Sequence, residues 1–211
     1  MLIVIEGLDG SGKATQTAKL VEYLKNKGQA VHRVTFPDYD SPASAPLRMY
    51  LDGEMGEASD VNAYAASSFF AIDRFVSFQK HWKKDYEAGY TIISDRYTTS
   101  NAAHQMSKLE VSEWNSYLRW MEDFEYGRLE LPRPDIVVYL DMNTTISQTL
   151  IHSRGTKPDI HEEDIAYLEN CRKSALYAAD RMEWNVIKCD DGEKPFDVET
   201  VFQKILGVLS I

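Results

Sequence analysis

The most informative segment for the fold is Gly7-Leu8-Asp9-Gly10-Ser11-Gly12-Lys13-Ala14-Thr15, which directly follows the apolar run Leu2–Glu6. Apolar residues recur at helical spacing over the next residues, 13–27, so the glycines separate a predicted strand from a predicted helix. Glycines in that position let successive backbone N–H groups turn inward around a phosphate, and the helix N-terminus adds about half a positive charge. Residues 7–15 therefore predict a phosphate-binding P-loop, in which Lys13 reaches the outer phosphates of a nucleoside triphosphate.

The end of this loop departs from the usual G-x-x-x-x-G-K-[ST] pattern. Ala14 stands where a hydroxyl group normally contacts Mg²⁺. Thr15 lies about 100° further around the helix, so we expect it to touch an inner phosphate rather than replace that hydroxyl. Magnesium must then be held by phosphate oxygens, water and a carboxylate, and Asp9 is the nearest candidate.

The rest of the chain alternates predicted strands with predicted helices. Strands that are apolar on both faces and are each followed by a helix predict a parallel sheet covered on both sides. With β-strands at five places, the sequence predicts an α/β protein with the three-layer fold of P-loop NTPases, a five-stranded parallel sheet flanked by helices. We see no linker or repeat, so residues 1–211 are expected to form a single domain. The further predicted strands are 30–36, 90–94, 136–140 and 184–188, and the further helices are about 60–88, 143–153, 161–181 and 198–209.

The overall charge and the cysteine content exclude some classes of protein. Asp and Glu number 33 against 23 Lys and Arg, a net charge of −10 that disfavours broad binding to nucleic acid. No apolar run approaches the ~20 residues of a membrane span, and no signal peptide is recognisable. We therefore expect a cytoplasmic protein without a membrane partner, whose two cysteines, Cys171 and Cys189, are structural thiols.

A second group of chemically active residues follows the predicted strand 90–94. Ligands of open α/β sheets bind at the carboxyl ends of the strands, so we expect Asp95 and Arg96 to face the same crevice as the P-loop. Arginine can clamp a phosphate through two N–H groups and offset charge during its transfer; the alternative is an Asp–Arg pair on the surface. Phe36 ends the second strand at the same edge, where it either lines a base pocket or closes the core.

The predicted long helix carries an aromatic ring next to a guanidinium. Phe70 and Arg74 are four residues apart and share a face. Such a pair can stack on a base and hydrogen-bond its edge, although a cation–π pair on the surface is the alternative. The core-facing stripe is expected elsewhere, through Val61, Ala65, Phe69, Ile72 and Val76.

Together these residues resemble the thymidylate kinase family, whose members phosphorylate dTMP with ATP. The combination of the FP, FxAxDR and DRYxxSNAA motifs is much more specific than the P-loop alone. The resemblance implies direct in-line phosphoryl transfer to dTMP, Mg²⁺ as cofactor, ATP and dTMP as ligands, and a homodimer. The matching pieces are GLDGSGKATQ at 7–16, FPDY at 36–39, FFAIDR at 69–74, SDRYTTSNAAH at 94–104, RPDIVVYLD at 133–141, and residues 154–177.

The resemblance also implies how the acceptor nucleotide is held. Phe70 stacks on thymine, Arg74 bonds the O4 edge of the base, and Asn101 meets its N3 edge. Phe36 packs beside the sugar and the base. His104 stands where the family often has a tyrosine whose ring crowds the 2′ position of the sugar, which predicts weaker rejection of ribose here.

The phosphates and the metal are assigned by the same resemblance. Tyr39 and Arg96 hold the phosphate of dTMP. Asp95 lies near the acceptor and the metal, while Asp9 orients Mg²⁺ or the acceptor sugar. Lys13, Asp9 and Arg96 then carry the catalysis together with Mg²⁺ and the basic residues Arg154 and Lys157.

A short polar segment at about 153–162 is broken by Gly and Pro and resembles the mobile lid of the family. The resemblance implies that Arg154 and Lys157 approach the ATP phosphates and that Glu162 helps to hold the metal; the alternative is an ordinary charged loop. Gly10 stands where one branch of the family carries a basic residue in the P-loop. The catalytic charge is therefore expected from the lid.

Two other functions stay open at the level of the sequence. One is a kinase for another deoxynucleotide or for a deoxynucleoside. The other is a nucleotide-binding module without catalysis, although Asn26-Lys27-Gly28-Gln29 fails the fourth position of a guanine-reading motif.

Overall fold

The computed structural model describes residues 1–153 and 165–211, without the side chains of residues 152 and 153. Five strands form one sheet in the order β2-β3-β1-β4-β5, and every neighbouring pair is parallel. This confirms the predicted five-stranded parallel sheet, whereas the extent of a single domain over 1–211 stays a prediction. The strands are β1 (Leu2–Gly7), β2 (Val31–Thr35), β3 (Thr91–Asp95), β4 (Ile136–Asp141) and β5 (Asn185–Lys188).

Helices cover both faces of the sheet, as the alternating pattern of the sequence predicts. Among the described residues, none of these helices has the length and apolar character needed to cross a membrane. The α-helices are α1 (Lys13–Asn26), α2 (Ala45–Leu51), α3 (Ala63–Ser77), α4 (Lys83–Glu87), α5 (Trp114–Glu122), α6 (Thr144–Ser153), α7 (Ile165–Arg181) and α8 (Val198–Leu209).

Two apolar cores lie against the two faces of β1, since successive side chains of a strand point to opposite sides. Ile3 and Ile5 pack in one core with Leu20 of α1 and Ile205 of α8. The alternate residues of β1 pack in the other core, which includes Trp82, Tyr117, Met121 and Ala175. Because β1 is buried along its whole length, the loop that follows it emerges from the centre of the molecule.

The register of the sheet brings three chain segments to one edge. Ile5 of β1 is level with Asp95 of β3, and Gly7 is level with Leu140 of β4. Since parallel strands end at the same edge, the loop after β1 and the residues after β3 begin side by side.

The long helix predicted from Asp60 to Ala88 is divided into three pieces. A π-helical turn, Phe78–Trp82, separates α3 from α4. The helix is capped by Asn62, whose side-chain oxygen accepts a hydrogen bond from the Ala65 amide at 2.9 Å. Asp60, the predicted first residue and expected cap of this helix, is not the cap, because its carboxylate accepts from the amide of Glu57.

The prediction that the stripe through Phe69 and Ile72 of α3 faces the core is wrong. Ile72 is 42% exposed and Phe69 is half-buried, whereas Ala71 and Arg74 are buried. The reason is an ion pair inside the protein between Arg74 and Glu125. A charged residue takes the core-facing position because its partner lies there, which hydrophobic periodicity cannot indicate.

The stretch that is helical by composition, residues 98–130, is mostly short helical segments rather than one long helix. Only α5 reaches nine residues. Helix α2 has no counterpart in the sequence prediction. The shorter segments of 98–130 are the π-helical turns Asn101–Gln105 and Asp123–Arg128 and the 3₁₀ turns Met106–Lys108 and Val111–Glu113; a further 3₁₀ turn, Pro42–Ser44, directly precedes α2.

Both cysteines are free and buried. Burial raises the pKa of the Cys171 thiol to about 11 and that of the Cys189 thiol to about 12. A thiol that stays protonated at neutral pH is a poor nucleophile, which fits the structural role expected from the sequence.

Candidate active site

The loop between β1 and α1 is shaped by glycines in the left-handed region. Gly10 has φ 81° and Gly12, the residue before α1, has φ 89°. A Cβ on Gly10 would lie 2.5 Å from the carbonyl oxygen of Ser147 in α6, so a side chain does not fit there. No side chain of the described residues caps the N-terminus of α1, and its first N–H groups are therefore available to an anion.

The P-loop lysine is held at the base of this loop. Nζ of Lys13 donates to the carbonyl oxygen of Leu8 at 2.9 Å and lies 3.5 Å from Oδ1 of Asp9. Burial is the main reason that the pKa of Lys13 is lowered, and the positive charge of Arg96 adds to the effect. A bound triphosphate would add negative charge beside this ammonium group.

Arg96 adopts an unusual backbone conformation for a residue with a side chain, with φ 67°. The hydroxyl of Ser94 donates to the carbonyl oxygen of Arg96 at 2.5 Å, which supports the turn after β3. The guanidinium lies 2.5 Å from Asp9 and 3.5 Å from Glu6. Burial lowers the pKa of Arg96, but Asp9, Glu6 and Asp95 together raise it above its ordinary value.

The two carboxylates of the crevice experience different environments. Burial raises the pKa of Asp9, yet the charges of Arg96, Lys13 and His104 outweigh it and hold the pKa below its usual range. For Asp95, burial dominates and raises the pKa, although Lys13 and Arg96 oppose it. Asp9 is therefore the more strongly ionised of the two.

Glu6 is a buried carboxylate that the sequence analysis did not single out. It accepts hydrogen bonds from the Gly7 amide at 2.9 Å and from the hydroxyls of Thr99 and Ser100, both at 2.7 Å. It thus ties the end of β1 to the segment that follows Arg96. Its position in the sequence could have indicated a functional role, because it is a charged residue at the end of an apolar run and directly before the glycines.

A cavity of about 530 Å³ opens between the P-loop and the carboxyl end of β3. Of the P-loop residues predicted to bind ATP, Gly7, Leu8 and Ser11 are buried and do not line it. The sequence-predicted residues that line it are Asp9, Gly10, Gly12, Lys13, Ala14 and Thr15 on the loop side, and Phe36, Tyr39, Phe70, Arg74, Asp95, Arg96, Asn101 and His104 on the other.

The aromatic side of the cavity is built by α3 and the end of β2. The ring of Phe70 meets Tyr50 edge-on, with centroids 6.4 Å apart. Phe36 is buried, and its ring lies 6.0 Å from that of Tyr97. Tyr50 comes from α2, which the sequence analysis did not predict, so this neighbour of Phe70 was missed.

Arg74 lines the cavity. It is not part of a cation–π pair on the surface, which was the alternative interpretation of the sequence. Its side chain is 1% exposed. Nε and Nη2 donate to the two oxygens of Glu125 at 2.7 and 2.8 Å, and Nη1 donates to the Tyr97 carbonyl at 3.2 Å. Asn101 donates to the same carboxylate at 2.9 Å. Glu125 was missed because it lies in a segment for which composition predicts only a helix.

His104 and Tyr39 also line the cavity. Nε2 of His104 is 3.1 Å from Nη1 of Arg96, and Tyr39 is 53% exposed. Asp38 does not line the cavity; its amide donates to the carboxylate of Asp73 at 2.9 Å. An acidic residue next to Tyr39 therefore does not face the space between Arg96 and the P-loop.

Three predicted residues, Arg154, Lys157 and Glu162, and most of the predicted lid lie outside the described residues. Within residues 1–153 and 165–211, no group of three or more His, Cys, Asp or Glu side chains is placed to hold a metal ion by itself.

Comparison with known proteins gives one consistent result. The family model of thymidylate kinase matches residues 5–205. A thymidylate kinase of Mycobacterium tuberculosis is 34% identical over 185 residues, 84% of each chain. A probable thymidylate kinase of Thermococcus kodakarensis is 30% identical over 214 residues, 99% of this chain and 97% of the relative.

A solved structure shows the same fold at lower identity. The thymidylate kinase of Candida albicans superposes with a TM-score of 0.73 at 21% identity, covering 99% of this chain and 90% of the other. Since the family model spans nearly all of the sequence, the chain belongs to the thymidylate kinase family.

Proposed function

We propose that the protein transfers the γ-phosphoryl group of ATP to dTMP, which gives ADP and dTDP. One observation carries the proposal: Phe70, Arg74 and Arg96 line the same cavity as Lys13 and the P-loop glycines. A donor triphosphate on the loop and a pyrimidine monophosphate against α3 would then share one cleft. The names of the relatives agree with this activity.

The reaction requires no covalent intermediate on the protein. An oxygen of the dTMP phosphate attacks the γ-phosphorus in line, and the bond to the oxygen that bridges the β- and γ-phosphates breaks. Catalysis of this kind consists of positioning and charge neutralisation. Lys13 and the N–H groups of the loop hold the donor, while Arg96 contacts the acceptor phosphate from the opposite side.

Magnesium fits the residues of the crevice. Mg²⁺ is usually bound through one or two carboxylates together with substrate phosphates and waters. Asp9, which is ionised and lines the cavity, and Asp95, at the end of β3, provide such oxygens, whereas Ala14 provides none. When bound, the ion would neutralise charge on the triphosphate.

We also propose that the protein is a homodimer, a property implied by the family resemblance. The apolar stripe of α3 that does not reach the core supports this. Ile72 of α3 is 42% exposed, and Met49 of the neighbouring α2 is 41% exposed. Light scattering of Ile72→Glu should then give the mass of a monomer, and Val111→Glu, which alters another exposed residue, should leave the dimer intact. The cytoplasmic location stays a prediction from the sequence.

An acceptor panel tests the activity. ATP and Mg²⁺ are kept constant, and a coupled assay measures ADP formed with dTMP, dUMP, dCMP, dGMP and thymidine. We expect dTMP to react fastest and dUMP about 10–100-fold more slowly, because the missing methyl group is worth only about 1–3 kcal/mol. Preference for another acceptor would favour the alternative kinase, and ATP binding without any ADP would favour a non-catalytic module.

A further inference from the structure

One buried carboxylate connects the two polar side chains that face the base in the proposed function. Glu125 lies in the π-helical turn Asp123–Arg128 and is 0% exposed. One of its oxygens accepts from Nε of Arg74, and the other accepts from both Nη2 of Arg74 and Nδ2 of Asn101. The two cavity residues therefore share an acceptor that does not itself line the cavity.

The first consequence concerns Arg74. Its guanidinium has five N–H donors and no acceptor. Two donors are used by Glu125 and one by the Tyr97 carbonyl, so the planar group cannot turn while the pair persists. What Arg74 presents to the cavity is a hydrogen-bond donor in a fixed orientation.

The second consequence concerns the amide of Asn101. Both hydrogens of Nδ2 are directed to acceptors, Oε1 of Glu125 at 2.9 Å and the Ser67 carbonyl at 3.3 Å. The opposite orientation of the amide would set its oxygen against two acceptors, which is unfavourable for buried groups. Oδ1 of Asn101 is consequently the group left for a ligand, and no hydrogen-bond donor contacts it among the described residues.

This arrangement of a donor beside an acceptor matches one type of pyrimidine edge. In thymine and uracil, O4 accepts and N3–H donates, so both can pair. In cytosine, the 4-amino group donates and N3 accepts, so both groups oppose their partners. Buried polar groups left unpaired reject a ligand far more strongly than a missing methyl group does.

We propose that Glu125 is the positioning residue that sets this pattern and thereby makes the site select a 4-oxo, N3–H pyrimidine over a 4-aminopyrimidine. The inference rests on the proposed function, since it assumes that the base lies against Arg74 and Asn101. Glu125 acts through these two residues and does not touch the substrate. A merely structural role of Glu125 would instead affect all acceptors to the same degree.

The test replaces the carboxylate by its amide, Glu125→Gln. The glutamine keeps one acceptor but adds two N–H groups, so the Asn101 amide can reverse and turn its NH₂ group to the cavity. We expect kcat/KM for dTMP to fall about 10–100-fold, mainly through KM, while that for dCMP falls less or rises. The ratio of the two should shrink at least about tenfold, the effect of ~1.4 kcal/mol. Glu122→Gln, at the end of α5, is the matched control and should leave the ratio unchanged.

A second measurement uses the unmodified protein and analogues of the acceptor. N3-methyl-dTMP lacks the N3–H donor, and we expect it to react at least about 100-fold more slowly than dTMP. The loss with dUMP, which keeps the edge, should be smaller. This comparison can still refute the proposal if Glu125→Gln does not fold, as judged by its thermal unfolding and ATP binding.

The outcomes separate the two proposals. If the unmodified protein produces no ADP with dTMP, the proposed function itself fails. If dTMP is a substrate but Glu125→Gln slows dTMP and dCMP equally, or N3-methyl-dTMP reacts as well as dTMP, the role of Glu125 is overturned. A reduced dTMP-to-dCMP ratio in Glu125→Gln alone, with N3-methyl-dTMP rejected, supports it.

Discussion

Arg96 and Asp9, 87 residues apart in the chain, meet with 2.5 Å between Nη2 and Oδ1. The contact joins the turn after β3 to the P-loop after β1. It holds the Arg96 guanidinium beside the P-loop, where Asp9 also lies 3.5 Å from the ammonium group of Lys13. A carboxylate of the donor loop therefore positions the cation that the proposed reaction uses at the acceptor phosphate.

Replacing Arg96 by lysine tests whether the planar guanidinium is required. Arg96→Lys keeps the charge opposite Asp9 and Glu6 but loses the two-pronged geometry of arginine. We expect kcat for ADP formation with dTMP to fall about 100–1,000-fold, the loss typical of a charge-stabilising group. ATP binding, measured by calorimetry, should change by less than about threefold. Arg128→Lys, at a 74% exposed position, should be neutral; a fully active Arg96→Lys would show that charge alone suffices.

The discrimination between deoxyribose and ribose should depend on His104. Its ring lines the cavity next to Arg96 and is smaller than the tyrosine common in the family. His104→Tyr should increase the ratio of kcat/KM for dTMP over ribothymidine monophosphate about tenfold, because the larger ring excludes the 2′-hydroxyl. His81→Tyr, at an exposed position, is the control. No change in the ratio for His104→Tyr would refute the proposed position of the sugar.

Two glycines of the P-loop should respond differently to alanine. Both have positive φ, but a Cβ on Gly10 would be 2.5 Å from the Ser147 carbonyl oxygen, whereas one on Gly12 would meet no atom within 4 Å. Gly12→Ala should cost about 1–2 kcal/mol of unfolding free energy through backbone strain alone. Gly10→Ala should cost more, about 2–4 kcal/mol, because α6 must also move. Urea unfolding measures both, and equal losses would mean that α6 does not pack on the loop.

Lys108 should make the stability depend on pH in the alkaline range. Its ammonium group donates to the Tyr50 hydroxyl and to the carbonyl oxygens of Ala58 and Val61, and burial lowers its pKa from 10.5 to about 8. Between these values the unfolded chain binds more protons than the folded protein, so this contribution to stability rises with pH.

Urea unfolding of the unmodified protein and of Lys108→Met at pH 7.5 and pH 9.5 isolates this effect. We expect the unfolding free energy of the unmodified protein to gain on that of the variant by on the order of 1–2 kcal/mol over this interval. The variant corrects for all other groups that titrate in the same range. A constant difference at the two pH values would show that Lys108 titrates near its ordinary pKa.

The sequence predicts correctly those elements that depend on interactions between neighbouring residues. A P-loop between an apolar run and an amphipathic segment needs only glycines and periodicity, and the strand, loop and helix at residues 2–26 follow the prediction closely. Asp95 and Arg96 were placed at the crevice because parallel strands end at one edge of the sheet. The position of the cleft can therefore be predicted from the sequence alone.

Hydrophobic periodicity and glycine conformation act over a few neighbouring residues, so the amino-acid sequence alone predicts the sheet, its P-loop and the side of the sheet on which ligands bind. The buried face of α3 depends instead on contacts between distant segments of the chain. So do the hydrogen bonds of Glu125 with Arg74 and Asn101 and those of Glu6 with Thr99 and Ser100. Those pairings join residues 24 to 94 positions apart. A buried charge is destabilising unless a partner of opposite charge lies next to it. In this protein that partner comes from a distant segment of the chain, and the spacing of residues in the sequence does not indicate which one.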